Sequence, residues 1–128
     1  MQVGGANILR TVYVFAQPSE HIHIVAPYRN VRYLIAVEIA KEAGFADKFM
    51  GTGQQAKFIG HGIGLEINEA PVLAPRIKQQ LEPGMVFALE PKIVIPGVGP
   101  VGIENSWVVT NEGIEKLTNC NEEIIELS

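Results

Sequence analysis

Between positions 31 and 43, the apolar residues Val31, Leu34, Ile35, Ile39 and Ala43 return every three or four positions, while Glu38, Lys41 and Glu42 gather opposite them. That spacing is the period of an α-helix with one buried face. The pattern predicts an amphipathic helix over 31–43, with Gly44 suited to the left-handed residue that closes many helices. Upstream, residues 9–15 (LRTVYVF) are β-branched and aromatic and stop at Gln17-Pro18-Ser19, which predicts a strand; residues 22–25 are a second candidate. Beyond Lys57 the rhythm changes to short apolar runs separated by Gly and Pro, the signature of antiparallel sheet. Runs 85–95 and 101–110 flank the turn-rich stretch 96–100, and Asn111-Glu112-Gly113 turns the chain again before residues 114–117. Residues 75–81 are expected to form one helical turn.

With 128 residues, 47% of them apolar, the chain suffices for one hydrophobic core, and a single domain over 1–128 is expected. A net charge of -4 provides no basic stripe to neutralise phosphates, so no nucleic-acid partner is expected. No apolar run approaches the roughly 20 residues needed to cross a bilayer. The first ten residues lack the charged and apolar regions of a secretion signal, and the lone Cys120 has no internal partner and no basic neighbour to activate it. Cytoplasmic residence is the expectation. Of the fourteen acidic residues only Asp47 is an aspartate.

Two carboxylates, Glu90 and Glu104, each stand among apolar neighbours, seven residues either side of Gly97. A hairpin centred on that glycine would set them opposite each other on one face, where like charges repel and burial of either costs several kcal/mol or more without a partner. A cation between them removes both problems; a slipped register or two solvent-facing glutamates is the plainer alternative. His61 lies in Gly60-His61-Gly62-Ile63-Gly64, where the glycines admit close approach of other atoms. Taken alone, a histidine in such a stretch is either a hydrogen-bonded core residue or a ligand. Together, one imidazole and two carboxylates form a plausible three-ligand site for Mn, Co, Zn or Fe, with a position left for water, the arrangement of a metal-assisted hydrolase. His21 and His23 share one strand face and are a weaker pair. Trp107 and Phe87 are expected in the core, and Glu66 and Glu69 in structural or solvent-facing roles.

The strings GHGIGLEINEAP, LEPGMVFALEP and GIENSWVVTNEGIEKLT occur in this order within residues 33–118. As a set they resemble the C-terminal half of Xaa-Pro dipeptidases (prolidases), aminopeptidase P and methionine aminopeptidases. The resemblance implies an α+β chain with a partial pita-bread (creatinase/aminopeptidase) fold, a curved, mainly antiparallel sheet with one principal helix, N-terminally truncated relative to that family. It also implies a dinuclear metal site made from two Asp, one His and two Glu, in which His61 matches the histidine, Glu90 the first glutamate and proton shuttle, and Glu104 the second glutamate. A weaker match at the N-terminus puts Asn7 at the second aspartate, with the first falling before Met1. Lys57 and Asn68 stand where many members carry histidines that contact substrate and the developing oxyanion, and Gly102 replaces a frequent arginine. A lysine still binds a carboxylate and an asparagine still donates a hydrogen bond, though neither titrates like histidine. Because Asn7 is neutral and the first aspartate is absent, one divalent ion rather than two is expected. The implied reaction is hydrolysis of a short peptide, with a preference for proline coming from the resemblance alone. Its rival is a peptide-binding module that keeps the scaffold and has lost the chemistry; the plainest alternative is a decayed or truncated fragment that binds no metal. Apolar surface left uncovered by the shortened fold predicts a homo-oligomer, to be checked by light scattering.

Overall fold

A computed structural model describes residues 30–77 and 79–122, with side chains from Ala36 onward. The candidate strands 9–15 and 22–25, together with Asn7, His21 and His23, lie outside the described residues.

Helix α1 spans Asn30–Glu42. It ends where Gly44 takes a φ of 78°, a conformation cheap only without a Cβ. The Gly44 N–H donates to the Lys41 carbonyl at 3.0 Å and the Phe45 N–H to the Ala40 carbonyl at 2.7 Å, so the last turn's carbonyls are satisfied in a Schellman-type cap. Glu38, Lys41 and Glu42 face solvent as expected. Among the described side chains Ile39 packs against the core as expected, with Ala36 and Ala40 sealed and Val37 half-buried beside it, whereas Ala43, expected inward, is exposed. The stretch is apolar around most of its circumference, so periodicity located a helix without fixing all of its inward face. The small alanines let the helix backbone sit close to the core.

Seven strands follow, in two antiparallel sheets among the described residues: β1 (Gly60–Gly62), β2 (Glu69–Val72), β3 (Val86–Leu89), β4 (Lys92–Ile95), β5 (Gly99–Gly102), β6 (Asn105–Val109) and β7 (Ile114–Lys116). The larger sheet has the order β2-β1-β3-β6-β7, and β4 pairs with β5 separately. The expected run 85–95 is therefore two strands. Pro91, buried and lacking an N–H, interrupts the ladder. Beyond it β4 turns to a new neighbour, with Phe49 bridged to Ile93 and the Val94 N–H donating to the Lys48 carbonyl at 2.8 Å. At the hairpin tip the Val98 N–H bonds to the Ile95 carbonyl at 3.0 Å, with Pro96 next and Gly97 at φ 79°. Pro followed by a positive-φ glycine is the chemistry of a type II turn.

Among the described residues of 75–81 there is no helical turn. The Ile77 N–H donates to the Ala74 carbonyl at 3.2 Å, a single reverse turn with Pro75 at its first corner. Proline presets that corner's φ and needs no helix after it.

Alternation along β3 and β6 sorts the side chains. Phe87, Leu89, Trp107 and Val109 join Ala36, Ala40, Phe49, Met50, Ile59, Leu73 and Ile93 in one apolar cluster. Phe87 and Trp107 are directly opposed and buried, as expected. That side of the sheet belongs to the core. The opposite side, carrying Ala88 and Ser106 at the alternate positions, bears the candidate chemistry.

Candidate metal site

Strand β1 lies between β2 and β3, and His61 pairs with Ala88 on β3. On the other side the register shifts, His61 facing Val72 while Gly62 faces Glu69, so β2 bulges beside the histidine. Such a bulge re-aims a side chain locally. The flanking glycines allow this packing. A Cβ on Gly60 would stand 2.2 Å from the Ala88 carbonyl oxygen, and one on Gly62 would stand 2.2 Å from that of Ala70. The close approach expected of this motif is thus made by neighbouring strands. At Gly64 it is made by the Glu69 carboxylate, whose Oε2 also accepts the Glu66 N–H at 3.3 Å, the structural role expected for Glu69.

The hairpin register expected from Gly97 holds. Leu89 pairs with Asn105 at the end of one ladder and Lys92 with Gly102 at the start of the next, so Glu90 and Glu104 occupy opposed positions at the junction. Their surroundings differ. Glu90 is buried and its N–H donates to the Ile59 carbonyl at 2.8 Å, whereas Glu104 is exposed. The repulsion between two buried carboxylates is avoided because only one of them is buried.

His61 Nε2 stands 3.5 Å from Glu90 Oε1, both side chains about nine-tenths sealed from solvent. Its Nδ1 is 3.0 Å from the Gly62 carbonyl. A carbonyl only accepts, so this bond puts the ring proton on Nδ1 and, in the neutral imidazole, turns the Nε2 lone pair toward the carboxylate. Two acceptors facing each other call for a positive charge between them. Metal-bound histidines commonly hand their second N–H to a carbonyl in this way. Two ligand atoms each about 2.1 Å from a tetrahedral ion are about 3.4 Å apart, close to the observed separation. His61 and Glu90 therefore fit a divalent cation.

Among the described residues no group of three His, Cys, Asp or Glu side chains comes together, and Glu104 is exposed. Lys57 and Asn68 are both exposed, and neither makes a hydrogen bond or ion pair to His61 or Glu90. Sequence reasoning missed Lys92, whose ammonium pairs with Glu90 Oε2. Its signal was available: two residues beyond Glu90 on an extended chain is the same face.

The sequence model of metallopeptidase family M24 matches residues 6–111. The chain belongs to that family. Among its relatives, the Xaa-Pro dipeptidase of Pyrococcus furiosus is 40% identical over 91 residues, 71% of this chain and 24% of that protein. The Xaa-Pro dipeptidase of Lactobacillus delbrueckii is 37% identical over 90 residues, 70% and 23%. The M24 chain thus spans about a quarter of the length of these curated relatives. Among solved structures, the X-Pro aminopeptidase of Thermotoga maritima superposes with a TM-score of 0.78 at 26% identity, covering 92% of this chain and 32% of that one. The Xaa-Pro dipeptidase of Bacillus anthracis gives 0.75 at 35%, covering 95% and 33%. The partial pita-bread architecture expected from the motifs is therefore the fold of this M24 chain, and use of a divalent metal comes with the family.

Proposed function

We propose that this M24 chain carries the metal-holding core of a peptidase acting on short peptides, with His61 and Glu90 as ligands of one divalent ion and Glu104 as a third ligand that swings in from solvent. The observation that carries the reading is the sealed His61–Glu90 pair, 3.5 Å apart, with His61 Nδ1 3.0 Å from the Gly62 carbonyl. A divalent cation bound there supplies a Lewis acid that polarises a peptide carbonyl and makes water a better nucleophile. The protein's own part is to hold the proton. Glu90 Oε2, turned away from His61, accepts it from the attacking water and returns it to the leaving amine. The Glu90 N–H bond to Ile59 and the buried Pro91 after it keep the carboxylate in place for that transfer.

A second reading, a peptide-binding module without turnover, is favoured by one observation: among the described residues no three His, Cys, Asp or Glu side chains come together to hold a metal. Hydrolysis of Xaa-Pro and Xaa-Ala dipeptides by the full chain with added Mn, Co or Zn separates the two. Turnover that disappears in Glu90→Gln supports the peptidase. Peptide binding without turnover in any metal supports the module.

A further inference from the structure

Glu90 has two carboxylate oxygens, and His61 faces only one of them. The other, Oε2, receives the Lys92 ammonium. Lys92 is anchored at its backbone: its N–H donates to Met50 Sδ at 3.3 Å and its carbonyl accepts the Met50 N–H at 2.8 Å. It pairs directly with Gly102, and the missing side chain there leaves room for the lysine stem, since a Cβ at 102 would lie 2.8 Å from Lys92 Cγ. The Lys92 side chain is 42% exposed against 11% for Glu90, so its charge has water as an alternative partner and the carboxylate does not.

An isolated buried carboxylate is costly, and a tethered ammonium offsets that cost without any ligand. The same ammonium opposes a dication arriving at the same carboxylate. We propose that Lys92 is a tethered counter-cation of the metal site: it holds the Glu90 carboxylate in the metal-free protein and must withdraw to solvent when a divalent ion binds, which sets the metal affinity below what the ligands alone would give. The inference rests on the reading of His61 and Glu90 as ligands. Lys92 here acts on a ligand and does not touch substrate.

The test is calorimetric titration of the full chain with Zn and with Mn, comparing the parent with Lys92→Gln, Lys92→Met, Lys92→Arg and, as a control for net charge, Lys41→Gln on the exposed face of α1. At low salt, Lys92→Gln and Lys92→Met should bind at least about tenfold tighter than the parent, with a gap that narrows as added salt screens the charge. Lys92→Arg and Lys41→Gln should stay within about twofold of it. Because Lys92 is on the surface, folding of the variants should be intact by circular dichroism, and either neutral variant suffices. Equal or weaker binding by the neutral variants overturns the inference while leaving the metal site standing. Binding by neither parent nor variants overturns both. Binding by the neutral variants alone supports both.

Discussion

Replacing Gly60 with alanine isolates the close packing that aims His61. The glycine has no positive φ, so an added methyl introduces a collision and no backbone strain. Its Cβ would stand 2.2 Å from the Ala88 carbonyl oxygen and 2.8 Å from Leu73 Cδ1, where real Cβ contacts essentially never fall under 3.0 Å. Relief therefore requires β1 and β3 to part by roughly 0.8 Å or more, since interiors packed at crystal density have no slack to absorb it. Leu73 has little freedom to yield, with its N–H on the Gly60 carbonyl at 2.8 Å and its own carbonyl accepting the Ile59 N–H at 3.0 Å. Overpacking costs about 1–3 kcal/mol, and weakening one or two ladder hydrogen bonds adds about 0.5–1.5 kcal/mol each, for a total between about 1.5 and about 6 kcal/mol. Urea unfolding followed by fluorescence of the single, buried Trp107 reads this directly. With a slope of about 2 kcal/mol/M the midpoint should fall by about 1–3 M, the slope itself unchanged. The same displacement carries His61 off Glu90, so metal affinity should fall as well. Gly53→Ala is the comparison, because its Cβ meets nothing within 4 Å and only its φ of 76° opposes the change. A Gly60→Ala midpoint within about 0.3 M of the parent would refute the reasoning.

Other substitutions test other parts of the account. Ile93→Ala removes a fully buried side chain where β4 meets the core and should cost about 2–5 kcal/mol by urea or thermal unfolding. Gly97→Ala has open space for the methyl but forces a φ of 79°, so a loss of about 1 kcal/mol is expected in the same assay. Glu90→Gln should abolish calorimetric metal binding, whereas Glu104→Gln should weaken it by a smaller factor, because Glu104 is exposed and Glu90 is buried beside His61.

The hairpin was legible in the sequence because Pro96-Gly97 dictates one turn type, and the turn then fixes which residues oppose each other up to Glu90 and Glu104. The helix was legible by its period and by the Gly44 cap, and the aromatic core pair by its place in the sheet. The burial of Ala36 and Ala40 was not, because apolar residues lie on most sides of α1 and only tertiary packing selects those two. The different burial of the two glutamates was also hidden. Register makes them equivalent, and the distinction comes from the strand break at Pro91 and from the hydrogen bond of the Glu90 N–H to Ile59, a contact remote in sequence. The same holds for Lys92, whose position was readable but whose path over Gly102 depends on what the partner strand lacks. The roles expected for Lys57 and Asn68 came from resemblance alone, and both residues are exposed, where a substrate can reach them.

The most direct test of the account is an anomalous-difference map from crystals of the full chain grown with Mn or Zn. One peak per chain is expected, about 2.0–2.3 Å from both His61 Nε2 and a Glu90 carboxylate oxygen, with the Lys92 ammonium displaced. A peak away from this pair, or none at saturating metal, would contradict it.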